Sequence, residues 1–302
     1  MKYFYIHPFK PQYFFPKAFK KHEVFISFFK PYSLVGKISW SLFRNLGLYR
    51  IWFGKTNIED FIPEKAIRKI VGVEPLMAFN TGTPGPQQKV TGLGWHNNIY
   101  FFIKYAQTPS VIKNVVNEHN ILCQLSGLKF VPKIQSFYQD EQQVLLKTDV
   151  LIGSRLDNVS LSEKILNCLF TLAEVSNISK NKPTPLVKTV FAHGDFCPWN
   201  IMEQNGEILL FDWEMGGNYP LGYDLFTFIF QTNFLLKPNK SIQKIINENK
   251  NRIEQYFAHF NILEWSNYLI NFSKIKVNLE KEKGLKGMLL QYQILLDYAK
   301  KT

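Results

Sequence analysis

Residues 193–200 read HGDFCPWN and residues 206–214 read GEILLFDWE. The first stretch puts an Asp two positions after a His and an Asn five positions after that Asp. The second is an apolar run, ILLF, that ends on Asp212 and continues into Trp213 and Glu214. Asn205-Gly206 lies between them, a strong two-residue turn signal between apolar stretches. Residues 200–214 therefore read as a tight hairpin that doubles the chain back and delivers a carboxylate at the tip of a buried strand.

Such a set of oxygen-bearing side chains fits metal-assisted phosphoryl transfer to a hydroxyl. That chemistry needs a group to orient the nucleophile and take its proton, metal ions to neutralise the phosphates, and a cation to hold them. Asp195, in a loop, is the candidate base. Asn200 offers a neutral amide oxygen to Mg²⁺, and Asp212 offers a carboxylate. Glu214 adds a third oxygen donor, behind the ligands or on a second ion. Mg²⁺ takes oxygen ligands and commonly only one or two carboxylates, so this set matches its demand. Singly, each residue has an ordinary reading: a loop Asp caps a turn or helix, and Asn-Gly is only a turn. The combination at this spacing carries the weight.

The stretch 193–225 resembles the aminoglycoside phosphotransferase and choline kinase-like group, whose fold is similar to that of protein kinases. The residues that carry the resemblance are His193, Gly194, Asp195 and Asn200, followed by Phe211, Asp212, Trp213 and Glu214. It implies that Asp195 is the catalytic base, that Asn200 and Asp212 bind metal, and that His193 holds the loop by hydrogen bonding. It also implies a Lys on the third strand that holds the ATP phosphates and pairs with a Glu in the next helix. Lys104, at the end of the apolar strand NIYFFIKYA, and Glu118, fourteen residues on, stand at those places. The turn TGTPGP (81–86) would cover the phosphates, with Gly82 and Gly85 allowing close approach, although Pro84 and Pro86 each remove an N–H. Asp224 has two readings, a brace for the catalytic loop or a helix N-terminal acid favoured by the dipole. Cys197 reads as an inert thiol, and Trp199 and Trp213 as walls that exclude water.

Working outward, three regions follow: a basic aromatic extension (1–60), a phosphate-binding N-lobe (61–150) and a catalytic, substrate-binding C-lobe (151–302). In the N-lobe, strands are expected at 73–80, 87–95 and 97–106, with the turn between the last two near Gly92 and Gly94. A helix is expected over 108–127, where Thr108 can cap, Pro109 suits the first position and Gly127 the end. A hairpin is expected around 139–142. In the C-lobe, helical spacing covers 161–179, 222–236, 240–260 and 263–300. Strands followed by helices predict an α+β, two-lobed, protein-kinase-like fold, with a small antiparallel-sheet N-lobe and a mainly helical C-lobe.

Composition sets the remaining bounds. The 302 residues are 46% hydrophobic and 20% charged, a globular balance that excludes wholesale disorder. The three cysteines have no metal-ligand spacing, so neither a disulfide framework nor a zinc site is expected. No signal peptide is visible, and no apolar run reaches the roughly 18 residues needed to span a bilayer. A cytoplasmic protein is expected, with the inner membrane face as a second placement. Of the net +12, the first 55 residues supply +9, with ten Lys or Arg against Glu23 alone, and they also hold 17 of the 47 aromatics. This segment either packs its aromatics onto the body with its cations in water, or lies against anionic headgroups. No nucleic-acid motif is present, so nucleic acid is not an expected partner. Residues 213–302 hold eight acids against twelve bases, which disfavours a polycationic acceptor. A small-molecule hydroxyl, such as that of a sugar or lipid-linked intermediate of surface-polysaccharide assembly, suits the charge better. A choline- or aminoglycoside-type kinase, and a kinase-like nucleotide-binding protein without transfer, remain as alternatives.

Overall fold

A computed structural model describes residues 3–6, 12–16, 24–25, 28–29, 34–46, 58–72, 74–82, 85, 88–156, 160–175, 187–284 and 286–301. The chain forms two compact units, residues 1–119 with 132–152, and residues 120–131 with 153–302.

The first unit is built on an antiparallel sheet of seven strands in the order β1-β2-β3-β4-β5-β7-β6. They are β1 (Tyr3–Ile6), β2 (Tyr13–Pro16), β3 (Leu76–Asn80), β4 (Val90–His96), β5 (Ile99–Ala106), β6 (Ile134–Gln139) and β7 (Val144–Thr148). The period-two alternation of the strands sorts their side chains into two cores. Tyr3, Phe14, Met77, Phe79, Phe101, Ile103 and Tyr105 face one side, where Ile58, Ile62 and Ile67 close over them. Phe4, Phe15, Ala78 and Leu93 face the other, covered by Phe25 and Trp40. The expected boundary at residue 60 is therefore corrected. Residues 3–6 and 13–16 add two strands to the N-lobe sheet, because their alternating aromatics need both faces of a sheet to be buried.

A second correction concerns the β4–β5 turn. It is made by Asn97 and Asn98, both left-handed (φ 48° and 63°), as a two-residue hairpin turn of this type demands. Gly92 and Gly94 lie inside β4. A Cβ on Gly94 would sit 2.1 Å from the Phe101 ring, so the glycine makes room for an aromatic on the neighbouring strand. The helix Pro109–Gln124 starts at the expected proline.

The second unit is mainly helical. Its helices run Glu163–Ala173, Tyr223–Phe226, Thr232–Leu236, Ile242–His259, Ser266–Lys283 and Lys286–Ala299. A π-helical turn, Thr227–Gln231, joins the second to the third. The expected helix over 263–300 is divided at Gly284, whose left-handed φ of 70° ends Ser266–Lys283. The helix expected over 161–179 begins after the cap Ser162, whose hydroxyl accepts from Ile165 N–H, and residues 176–179 lie outside the described residues. Short strands carry the functional loop: β8 (Ser154–Arg155), β10 (Ile201–Gln204) and β11 (Glu207–Leu210) form one sheet, and β9 (Thr189–Ala192) pairs with β12 (Gly217–Pro220). The hairpin turns on Asn205 and Gly206 (φ 51° and 85°).

Candidate active site

The loop after β9 is fixed by a buried carboxylate. Asp224 accepts the backbone N–H of His193 at 2.6 Å and of Gly194 at 2.9 Å. Burial pushes its carboxyl up, and the two backbone N–H bonds act in the opposite direction. Of the two readings of Asp224, the brace is the one its contacts match. The His193 ring is fully buried; Nε2 donates to the Phe211 carbonyl (3.0 Å) and Nδ1 accepts the Asp195 N–H (3.3 Å). One ring nitrogen donates and the other accepts, so both roles of a neutral imidazole are used and His193 ties the loop to β11. Gly194 sits at φ +83°, and a Cβ there would lie 2.1 Å from the Met215 carbonyl oxygen. No other residue type fits.

Asp195 is held from two directions. Asn200 Nδ2 donates to its Oδ2 at 2.9 Å and also to its backbone carbonyl at 2.9 Å. Gln231 Nε2 donates to Oδ1 at 2.8 Å. With the Asn200 amide nitrogen spent on Asp195, its oxygen is the atom that can serve a cation. The hairpin register explains the spacing of the motif. Ile201 pairs with Leu210, and Phe211 N–H donates to the Asn200 carbonyl at 3.2 Å. Asn200 and Asp212 therefore stand at the same end of the hairpin, twelve residues apart in sequence. Asp212 is left-handed (φ 68°, ψ 59°), a backbone state that costs a non-glycine residue about 1–2 kcal/mol. Such strain collects at functional positions. The Asp212 and Glu214 carboxylates bring an oxygen each to within 4.8 Å of one another.

Lys276, which sequence reasoning missed, completes the support together with Tyr292. Lys276 Nζ donates to Gln231 Oε1 at 2.9 Å, and Tyr292 OH reaches the same oxygen at 3.3 Å. Lys276 is 4% exposed and lies 5.1 Å from the Tyr223 ring centroid and 5.7 Å from that of Phe272. Burial pulls its ammonium pKa down, and the Asp195 charge is the first influence that raises it. The signal was a lysine on the apolar face of SNYLINFSKIKVNLEKEK, four residues after Phe272 and seven after Leu269. Gln231 carried no such signal, because the π-helical turn that aims it has no sequence mark of its own.

Other expectations changed in detail. Trp213 is fully buried, donates Nε1–H to the Leu210 carbonyl (3.1 Å) and lies 4.4 Å from the His193 ring. It is a floor under the loop and not a wall of the site. Cys197 is buried; burial, then the Asp195 charge, drive its thiol well above the ordinary range, which leaves it protonated.

In the first unit, Lys104 on β5 donates to both oxygens of Glu118, at 2.8 and 2.6 Å. The two side chains are 8% and 3% exposed. Gly82 follows β3 at φ +76°, with its N–H bonded to Asn80 Oδ1 and its carbonyl accepting from Gln12 Nε2. Gly85 has φ +152°, and residues 83, 84 and 86 lie outside the described residues, Pro84 and Pro86 among them.

A family model described as the phosphotransferase enzyme family matches residues 155–240, the span that holds Asp195, Asn200, Asp212, Asp224 and Gln231. No match was found among curated proteins. Among solved structures, the chain is similar to a thermostable mutant of aminoglycoside phosphotransferase APH(4)-Ia in ternary complex with ADP and hygromycin B. Identity is 9%, coverage 78% of this chain and 97% of that one, and TM-score 0.53. It is also similar to amicoumacin kinase hAmiN in complex with AMP-PNP, Ca²⁺ and Ami, at 11% identity, 81% and 96% coverage and TM-score 0.53. These likenesses show the fold, which is the kinase-like α+β fold of such enzymes. The family match over residues 155–240 is to phosphotransferases, and the fold likeness agrees with it.

Proposed function

We propose that this protein transfers the terminal phosphoryl group of ATP to a hydroxyl of a small molecule with Asp195 as the base. The observation that supports this reading is the double restraint of the Asp195 carboxylate, by Asn200 at 2.9 Å and Gln231 at 2.8 Å, on a loop that Asp224 braces. A base fixed this way meets its acceptor without reorganising during the transfer. Asp195 takes the hydroxyl proton as the oxygen attacks phosphorus.

The oxygens of Asn200, Asp212 and Glu214 form the set assigned to Mg²⁺. They are all hard donors, with two carboxylates and one neutral amide, which fits an ion that shares its shell with phosphate and water. Bound there, the ion would supply neutralisation of phosphate charge. Lys104, oriented by Glu118, is assigned to the ATP phosphates, with the turn at Gly82 and Gly85.

The acceptor follows from charge. Hygromycin B and amicoumacin occupy the related complexes, so a small hydroxylated molecule is the class. The eight acids and twelve bases of residues 213–302 disfavour a polycation. A sugar hydroxyl, free or lipid-linked, as in surface-polysaccharide assembly, is the acceptor we assign.

Asp195→Asn separates transfer from a nucleotide-binding role. ADP release, followed over a screen of sugars, alcohols and amines with Mg²⁺, should fall by about 10³-fold or more, with nucleotide binding nearly unchanged. Near-normal turnover in that variant would remove Asp195 from the mechanism. No acceptor-dependent ADP release from the parent protein would favour the binding-only reading, and release confined to choline or aminoglycosides would overturn the assigned acceptor.

A further inference from the structure

The helix Leu34–Asn45 has a side that the catalytic reading does not use. Its inner side carries Trp40, 8% exposed, with its ring 5.6 Å from Phe15 and 5.3 Å from Phe29. Its outer side exposes Val35 (74%), Ile38 (53%) and Leu42 (48%), and Leu46 (68%) follows just past the helix. These positions are spaced three, four and four apart, the spacing of a single apolar stripe on an α-helix. Lys37 is exposed within the same span. No acid occurs between Glu23 and Glu59, whereas Lys30, Lys37, Arg44, Arg50 and Lys55 fall in that interval.

We propose that this stripe docks on an anionic phospholipid surface. The charge pattern selects the occupant. A second copy of the chain would bring a segment with five cations and no acid between residues 24 and 58 against its like-charged equal. A nucleic acid would answer the charge but leave the apolar stripe in water. A bilayer with anionic headgroups meets both demands at once: the aliphatic side chains enter the headgroup–acyl boundary and the cations lie at the phosphate level. No described helix is long and apolar enough to cross a membrane, so the contact is peripheral. Docking would place the enzyme where lipid-linked acceptors reside. The inference rests on the reading of the N-terminal segment and not on the transfer chemistry, so its failure leaves the Asp195 result untouched.

The test is flotation of the full chain with vesicles of equimolar phosphatidylglycerol and phosphatidylcholine, against phosphatidylcholine alone. Binding is expected on the anionic vesicles only, and it should weaken with added salt. Ile38→Ser with Leu42→Ser should lower the partition coefficient by about tenfold or more, with unchanged circular dichroism. Lys37→Glu should lower it only on the anionic vesicles. If the double variant misfolds, Val35→Ser, at the most exposed position of the stripe, carries the same test. Failure of the parent to float with anionic vesicles overturns the proposal. Serine variants that bind like the parent also overturn it, as does a parent dimer that those variants dissociate.

Discussion

Truncating the Lys104–Glu118 pair separates its structural cost from its role in transfer. The ammonium lies 2.8 and 2.6 Å from the two carboxylate oxygens, with both side chains under one-tenth exposed. At an effective dielectric near 20, two unit charges about 2.7 Å apart attract by about 6 kcal/mol. Burial of the two ions offsets most of that, so the intact pair contributes little net stability. Glu118→Leu removes the carboxylate that both hydrogen bonds from the buried ammonium reach, and should cost about 3–5 kcal/mol in urea or thermal unfolding. Lys104→Met should cost a similar amount by removing the ammonium from which both Glu118 oxygens accept. The double variant, Lys104→Met with Glu118→Leu, should recover to within about 1 kcal/mol of the parent, because two apolar side chains replace two ions. Transfer should not recover with it, since the proposed phosphate contact is gone. The measurements are equilibrium unfolding of the four proteins as a double-mutant cycle, and ADP release for each. A Glu118→Leu cost below about 1 kcal/mol would show the pair to be solvated like a surface ion pair, refuting the burial argument. A double variant with full transfer would remove Lys104 from nucleotide chemistry.

Two further outcomes are expected. Gly194→Ala should cost more than about 2 kcal/mol and abolish transfer, because its Cβ would meet the Met215 carbonyl oxygen at a left-handed φ; normal unfolding and activity would contradict the loop geometry. At mildly alkaline pH a thiol reagent should label one cysteine rapidly, the exposed Cys123. Cys168, its thiol pushed up to about 12 by burial, and buried Cys197 should stay unlabelled until the chain unfolds. Mass spectrometry reads the sites, and rapid labelling of Cys197 would disprove its burial.

The raised carboxyl of Asp224 bears on pH as well. Its neutral form is the one that burial favours, so the stability it contributes is fully present below the unfolded carboxyl range and is lost as pH rises through its folded value.

The sequence by itself determined the local chemistry of this protein. HGDFCPWN, the Asn205-Gly206 turn and the strand ending on Asp212 are contiguous signals whose meaning depends on short-range backbone geometry. A two-residue turn fixes antiparallel register, and register alone brings Asn200 and Asp212 to one end of the hairpin. The two-part α+β architecture was legible for a similar reason, since period-two and period-3.6 patterns are local. Tertiary structure decided what depends on neighbours distant in the chain. It folded residues 3–6 and 13–16 into the N-lobe sheet, because alternating aromatics are buried only when other strands and helices arrive to cover both faces. It also brought Gln231 to Asp195 across 36 residues and Lys276 to Gln231 across 45. No spacing rule encodes contacts made by the packing of whole helices, and the place of Lys276 on the apolar face of its helix does not say which distant side chain it meets.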